Sequence, residues 1–488
     1  MAARATVVGS GPNGLSAAVA LARAGLEVRV LEAAPSIGGG VRSGAATLPG
    51  FVHDVCSAVH PAALTSPFFR ALELSRHVDW LVPKASYAHP LEGGRAAIAW
   101  HDIDRTVAGL GPDGPAWRRL LAPLARRIDE VVSFTGDQLL RMPRHPLTAA
   151  RFGLRVAANA LPSTPFRTDA AAALLTGALA HANTRMPSLA SSAAGMLLAA
   201  HGHSTGWPVP RGSAQAIADA LAADLFAHGG EIETDTRVGT LADLDWGDPE
   251  NDLLVLDTSP RLLLTAPHLP PRYARAIRRY RYGPAAAKVD FALDGPVPWA
   301  NPEVSASPTV HLGGTREEIL TAEAEVSHGR IPEHPYVLVV QPSVIDPTRA
   351  PEGKAVLWAY THVPLHSRAD VTEAITAQIE RFAPGFRDLI LASSHVAAAE
   401  REEINPAEIG GDILGGAFTL TQALRRPVVS RHPWRTPLPG VYLASAATPP
   451  GPAVHGMNGW YAARTALRDR TGMDVCLDDL FGGDLVGG

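Results

Sequence analysis

The apolar positions near the start of the chain change period twice within thirty residues. Thr6-Val-Val-Gly9 is a short continuous apolar run, the pattern of a strand covered on both faces. From Gly14 to Ala24, Leu15, Ala18, Val19, Leu21 and Ala22 recur at helical spacing until Gly25 stops them, and Glu27 to Glu32 reads as a strand again through Val28, Val30 and Leu31. About 28 residues is the size of a strand-helix-strand crossover joining parallel strands. Farther along, 116–141 and 146–160 read as helices, with Arg118, Arg119, Arg126 and Arg127 among leucines and alanines. Strand patterns appear at Ala285–Leu293, Val337–Gln341 and Ala355–Thr361; the last two flank the Pro/Gly-bearing segment Pro342–Gly353, which predicts antiparallel pairing in a mixed sheet. An alanine-rich helix over Gly212–Gly229 leads into Gly230-Glu-Ile-Glu-Thr234, then into Asp252-Leu-Leu-Val-Leu-Asp257, again parallel-sheet material. A final strand, Gly440–Ala444, precedes a Pro/Gly loop and a helix from about His455 to Arg468. The chain is therefore expected to leave its first sheet and return to it twice. The tail Leu477–Gly488, with two Gly-Gly pairs, is expected to fray.

Composition narrows the class. In 488 residues, 19% charged and 46% hydrophobic, there is material for a large ordered core, and a net charge of −5 gives no basic field for nucleic acid. Cys56 and Cys476 are the only cysteines, which gives neither a disulfide framework nor a metal cluster and fits a reducing cytoplasm. No apolar run approaches the ~18 residues of a membrane span; the nearest, Ala170 to Ala180, is broken by Thr176 and Gly177. Only three of the 43 basic residues are lysine, Lys84, Lys288 and Lys354, so each raises the question whether arginine would fail there.

Gly9-Ser-Gly11-Pro-Asn-Gly14 is a G-x-G-x-x-G loop between strand and helix, where glycines let backbone approach a diphosphate at the positive helix end. Glu32 closes the second strand, where a carboxylate accepts from a ribose 2′-hydroxyl and disfavours a 2′-phosphate. A second cluster, Gly38-Gly39-Gly40-Val-Arg42, adds amides and a cation for the same diphosphate, as a long dinucleotide reaching into a second domain needs.

At this segment the sequence resembles the flavin amine oxidase and phytoene desaturase superfamily, in which the Gly-Gly-Arg stretch lines the FAD diphosphate. Leu48-Pro-Gly-Phe51-Val-His53-Asp54 through His60-Pro61 is most similar to its phytoene-dehydrogenase-related branch, which includes the pyridine nucleotide-disulfide oxidoreductase domain-containing protein 2 group. Trp207-Pro-Val-Pro-Arg211-Gly212-Ser213 resembles the return into the FAD domain, with Ser213 in place of a second glycine. Gly410-Gly411-Asp412-Ile413 and Tyr442 through Gly459 resemble the C-terminal flavin segment, where a helix start faces the flavin N1–C2=O edge. Pro452-Ala453 departs from the glycine-rich family loop, and Ser445 and Thr448 replace an acid found after the last strand in many FAD proteins.

The resemblance implies an α/β fold: a discontinuous Rossmann-like FAD-binding domain over 1–85, 205–270 and 415–488, and a substrate domain that is helical over 86–204 and mixed-sheet over 271–414. It implies FAD contacts from Gly9, Gly11, Gly14, Glu32, Gly38, Gly39, Gly40, Arg42, Val238, Pro450, Gly451, Val454, Gly456 and Met457. Lys288, in Ala285-Ala-Ala-Lys288-Val-Asp290, resembles the lysine that holds a water against flavin N5; the alternative is a strand-end lysine in solvent. His455 is expected either as acid, base or substrate guide, or as a capping or packing residue. His53, His60, His201 and His203 are read as structural or surface residues, and Asp54 as a turn cap. Arg151–Leu161 is either a core-packing helix or an amphipathic one touching a membrane.

The implied activity is hydride removal from an activated C–H of a lipophilic small molecule to flavin N5, with an external acceptor, oxygen or quinone-like, reoxidising the flavin. Amine oxidation to an imine, reduced-flavin-dependent isomerisation or saturation, and a non-catalytic FAD-bearing scaffold are the alternatives. Nucleic acid is not an expected partner, the expected location is cytoplasmic with peripheral membrane contact open, and the sequence leaves oligomeric state open.

Overall fold

A computed structural model describes residues 4–482 except 243 and 249. Five parallel strands form one sheet in the order Val441–Leu443, Leu253–Leu256, Arg4–Val8, Glu27–Leu31, Glu231–Glu233. The chain visits this sheet three times, because residues 4–31, 231–256 and 441–443 each contribute. The helix Pro12–Arg23 crosses between the first two strands, with Pro12 in its first turn and Gly25 at φ 84° just past its end. It is buried nearly all round, wedged between the sheet and the helices Gln215–Ala227 and Met457–Thr471. Small residues allow that wedge: a Cβ on Gly459 would stand 1.9 Å from the Asn13 carbonyl oxygen.

Seven strands form the second sheet, in the order Ile390–Val396, Ala285–Leu293, Ala355–Val363, Val337–Val340, Thr309–Leu312, Ala85–Leu91, Arg95–Trp100. All neighbours are antiparallel except Thr309–Leu312 against Ala85–Leu91, so the sheet is mixed. Ala285–Leu293 is buried along its whole length. Its odd positions, including Val289 and Phe291, enter an apolar core with Phe382 and Phe386, and its even positions carry Lys288 and Asp290 on the opposite face. A helical layer, including Ile128–Thr135, Pro146–Asn159, Asp169–Ala180 and Leu189–Gly202, adds a further core on this sheet through Phe152, Leu175, Met196 and Trp358.

Three expectations change, and a fourth is sharpened. The predicted helix 116–141 is two, Gly114–Ala125 and Ile128–Thr135, because Arg127 leaves helical geometry at φ −123°, ψ 34°. The last helix runs Met457–Thr471, with His455 ahead of it. Leu477–Phe481 is a short helix pinned by buried Leu480 rather than a frayed tail; 483–488 lie outside the described residues. The segment read as Arg151–Leu161 belongs to Pro146–Asn159, which buries Phe152 and Val156 while Leu147 and Leu154 stay 72% exposed. No helix among the described residues is long and apolar enough to cross a membrane.

Candidate active site

A cavity of about 940 Å³ runs from the carboxyl ends of the parallel strands to the second sheet and its helices. That is near the upper end of the ~300–1,000 Å³ usual for small-molecule sites. Parallel sheets place ligands at those strand ends, because helix N-termini with unsatisfied N–H groups converge there.

At the nucleotide end, Gly9, Gly11, Glu32, Gly39, Gly40 and Arg42 line the cavity. Gly11, ahead of the helix Pro12–Arg23, supplies no side-chain cap, and Asn13 Oδ1 on this wall has no partner. A Cβ on Gly39 would lie 3.0 Å from Gly11 Cα, so the two glycine clusters touch and leave a cradle of bare backbone. Glu32 Oε2 accepts from Ser10 N at 2.9 Å and from Ser10 Oγ, and Oε1 from Ala34 N at 2.8 Å, which leaves an Oε1 lone pair for a ribose hydroxyl. Arg42 is held by the carbonyls of Gly39 and Ile404. Bare backbone, an orphaned amide oxygen, a carboxylate acceptor and a cation together fit a dinucleotide diphosphate and its ribose.

Gly14, Gly38, Gly451 and Gly456 stand behind the wall. Gly14 seats the helix, since a Cβ there would be 2.0 Å from the Gly9 carbonyl oxygen; Gly456, at φ 67°, lets the last helix start against Ser16. Val238, Pro450, Val454 and Met457 line the cavity. Ala453, also on the wall, adopts φ 150°, a conformation that explains the glycine the family often has there. Ser445 reaches the cavity, whereas Thr448 is buried and donates to the Ser445 carbonyl.

His455 lines the cavity as a neutral group, its imidazole pushed down to about 4 by burial. Its Nδ1 accepts from Met457 N at 3.1 Å, so the hydrogen is on Nε2. It is therefore a hydrogen-bond donor and helix-start acceptor, and the role of base falls away. His60 and His201 also line the wall, lowered to about 4 by burial, contrary to a surface placement. His203 is tied to Trp117 Nε1 and the Trp100 carbonyl, and His53 to Asp290, both away from the cavity.

Lys288 does not line the cavity. It is neither a solvent-facing lysine nor an open cation: Nζ donates to both Asp290 oxygens at 2.7 and 2.8 Å and to the Asp54 carbonyl at 2.8 Å. Positions 288 and 290 share a strand face, and residues 53–56 cover that face. Burial alone would raise the Asp290 carboxyl, but Lys288 and His53 hold it below the usual range. Asp54 does more than cap a turn. Its carboxylate accepts from Ala214 N and Ser43 Oγ and pairs with Arg349, which also pairs with Asp346 and donates to the Pro210 carbonyl. We expect Lys288→Met to lose about 3–5 kcal/mol in a urea melt, because Asp290 is left buried without its cation. Lys288→Met/Asp290→Leu should recover most of that loss. A single variant of wild-type stability with slow flavin reduction would contradict the structural role.

Sequence reasoning does not single out Asp257, although it directly follows the strand Leu253–Leu256, the neighbour of the central strand. Its Oδ2 accepts from Gly14 N at 2.8 Å, placing a carboxyl at the same helix end as the glycine cradle. Burial pushes it up to about 7, the Gly14 N–H opposes this, and the Glu32 charge adds to it. Because the folded value exceeds the unfolded one, Asp257 is neutral below about pH 7 and becomes a second anion beside the diphosphate site above it. FAD affinity should therefore fall about tenfold between pH 5.5 and 8.5, the coupling expected of a like charge at close range. Asp257→Asn should flatten that profile in fluorescence titrations of apoprotein with FAD; parallel profiles would reject the role.

Fold and site together define an FAD-dependent oxidoreductase of the amine oxidase class. The chain belongs to the flavin containing amine oxidoreductase family, whose model matches residues 13–466. It is 24% identical over 555 residues to pyridine nucleotide-disulfide oxidoreductase domain-containing protein 2 of Rattus norvegicus, covering 96% of this chain and 94% of that protein. Among solved structures, a triple mutant of putrescine oxidase aligns over 97% of this chain and 99% of its own, with TM-score 0.58 and 16% identity. Cyclohexylamine oxidase from Brevibacterium oxydans aligns over 96% of this chain and 99% of its own, with TM-score 0.55 and 15% identity. These two structures share the fold.

Proposed function

We propose that the chain dehydrogenates a neutral, largely apolar small molecule of the kind handled by desaturases. The observation that supports this reading is the cavity wall beyond the nucleotide cradle. Val132, Phe134, Phe152, Leu197, Leu338, Val340, Trp358 and Tyr360 line it, with imidazoles that burial keeps neutral. Every carboxylate on the described wall already accepts a hydrogen bond from the chain itself: Glu32, Asp137, Asp257, Glu402, Glu408 and Asp412. A buried ammonium needs an anion or several acceptors, and away from these six carboxylates, each already engaged by the chain, the wall is mostly aliphatic and aromatic.

FAD, held by the glycine cradle, Glu32 and Arg42, would supply the two-electron chemistry, as acceptor of a hydride from the substrate C–H and donor to an external acceptor of the oxygen or quinone class. The hydrogen on the adjacent atom would leave as a proton to water at the cavity mouth, so that loss of one hydride and one proton leaves a C=C bond. The chain's part is to exclude water with its aromatic and aliphatic wall, to align the C–H, and to present the His455 N–H as a fixed donor. The names of the two structural neighbours favour a second reading, oxidation of an amine to an imine. Anaerobic titration of the holoprotein separates them: bleaching of the flavin band by a neutral polyene or isoprenoid, and not by alkylamines, is expected. Bleaching by amines alone would reverse the order.

A further inference from the structure

The apolar wall contains a histidine pair that the reaction above does not use. His181 follows the helix Asp169–Ala180, and its ring belongs to the cavity wall. His311 lies behind it on Thr309–Leu312, fully buried, and the two Nε2 atoms are 2.8 Å apart. Gly177 permits the approach, since a Cβ there would be 2.7 Å from His311 Nδ1. Trp207 packs edge-on against His181 with ring centroids 5.4 Å apart. Burial pushes the His181 imidazole down to about 3, with a further push from His362, and holds His311 well below its ordinary value. Both rings are neutral.

Two neutral imidazoles at that distance share one hydrogen, so one Nε2 donates and the other accepts. His311 Nδ1 is buried without a partner. If it carried the hydrogen, a buried N–H would be orphaned, whereas an orphaned lone pair is the milder case. The hydrogen of His311 is thus on Nε2, pointing at His181 Nε2, and His181 must carry its own on Nδ1. That nitrogen makes no hydrogen bond among the described residues. Thr309, on the same strand face as His311, also lines the cavity, 2% exposed, with a hydroxyl that has no partner.

From this arrangement we infer that His181 is a specificity-determining donor, whose Nδ1–H, with the Thr309 hydroxyl, binds the carbonyl oxygen of an otherwise apolar substrate. His311 is the positioning residue that fixes the donor tautomer. A carbonyl matches because it accepts two hydrogen bonds and donates none. The inference rests on the lipophilic-substrate reading and adds to it one polar group.

The test uses holoprotein and three probes of equal chain length, 2-dodecanone, dodecane and dodecylammonium, with binding read from perturbation of the visible flavin band. The ketone should bind about tenfold more tightly than dodecane, the discrimination one to two buried hydrogen bonds give. His181→Phe should cut the tenfold preference for the ketone over dodecane to about threefold or less, the remainder coming from the Thr309 hydroxyl. His311→Gln, whose amide can still donate to His181, should keep the preference, and His311→Leu should cut it likewise. A second readout needs no variant to fold: in ¹⁵N spectra of histidine-labelled holoprotein, a neutral Nδ1–H histidine engaged at Nε2 is expected. Equal binding of ketone and dodecane, or His181 in the Nε2–H form, would overturn the inference while leaving the lipophilic reading intact. Tightest binding of dodecylammonium would overturn both.

Discussion

Replacing Arg349 with leucine is expected to lower the thermal midpoint by about 3–5 °C, at ~1 °C per kcal/mol for a chain of this size and ~3–5 kcal/mol for breaking a buried ion pair. Arg349 has no exposed surface and joins three parts of the molecule. Nη1 reaches Asp54 at 2.8 Å, Nε reaches Asp346 at 2.9 Å, and Nη2 donates to the Pro210 carbonyl at 2.9 Å. Asp54 in turn holds the start of the helix Gln215–Ala227 through Ala214 N, and its carbonyl takes the Lys288 ammonium. The network therefore ties the glycine-rich FAD segment to the strand that carries Lys288. Leucine would leave two carboxylates buried against each other's charge, with only their remaining N–H and O–H donors. Adding Asp54→Asn and Asp346→Asn to Arg349→Leu should restore part of the midpoint. A shift below about 2 °C in differential scanning fluorimetry would show that the network is not holding the halves together.

Gly14→Ala is expected to weaken FAD retention ten- to a hundredfold. The new methyl would stand 2.0 Å from the Gly9 carbonyl oxygen and 3.0 Å from Asp257 Cβ, both in the tight strand-helix connection. Backbone cannot swing aside as a flexible side chain does, so the helix must withdraw from the strand. Overpacking of this kind costs ~1–3 kcal/mol, which at 1.4 kcal/mol per tenfold gives the stated loss. The displaced helix end is the one whose N–H groups would hold the diphosphate. Gly25→Ala is the control: its φ of 84° carries a strain cost, but no atom lies within 4 Å of a Cβ there and it is far from the cradle. FAD content per chain after dialysis measures both. Full retention in Gly14→Ala would contradict the cradle.

What the sequence made legible was local. The strand-helix-strand unit, both glycine clusters and Glu32 depend on periodicity and spacing within the first 42 residues, and the structure places them at one end of one cavity. The break after Ala125 is marked in the sequence only by Pro123, which the helix Gly114–Ala125 accommodates two residues before its end, since Arg126-Arg127 contains no glycine or proline. Lys288 stands out by its rarity among arginines, and its counter-ion Asp290 is two residues away on the same strand, but the Asp54 carbonyl that covers it arrives from 234 residues away. A strand pattern cannot say which segment will cover a face. His181 and His311 are separated by 130 positions and share no motif, so their pairing exists only in the folded chain. Asp257 is visible as the end of a strand, yet its raised proton affinity comes from burial and from the Glu32 charge, against the Gly14 N–H.

The most direct measurement is the visible spectrum of the purified chain, with the flavin released on denaturation identified and counted. The account predicts oxidised-flavin bands and one FAD per chain, lost in Gly14→Ala. A colourless protein that also takes up no added FAD at large excess would contradict it.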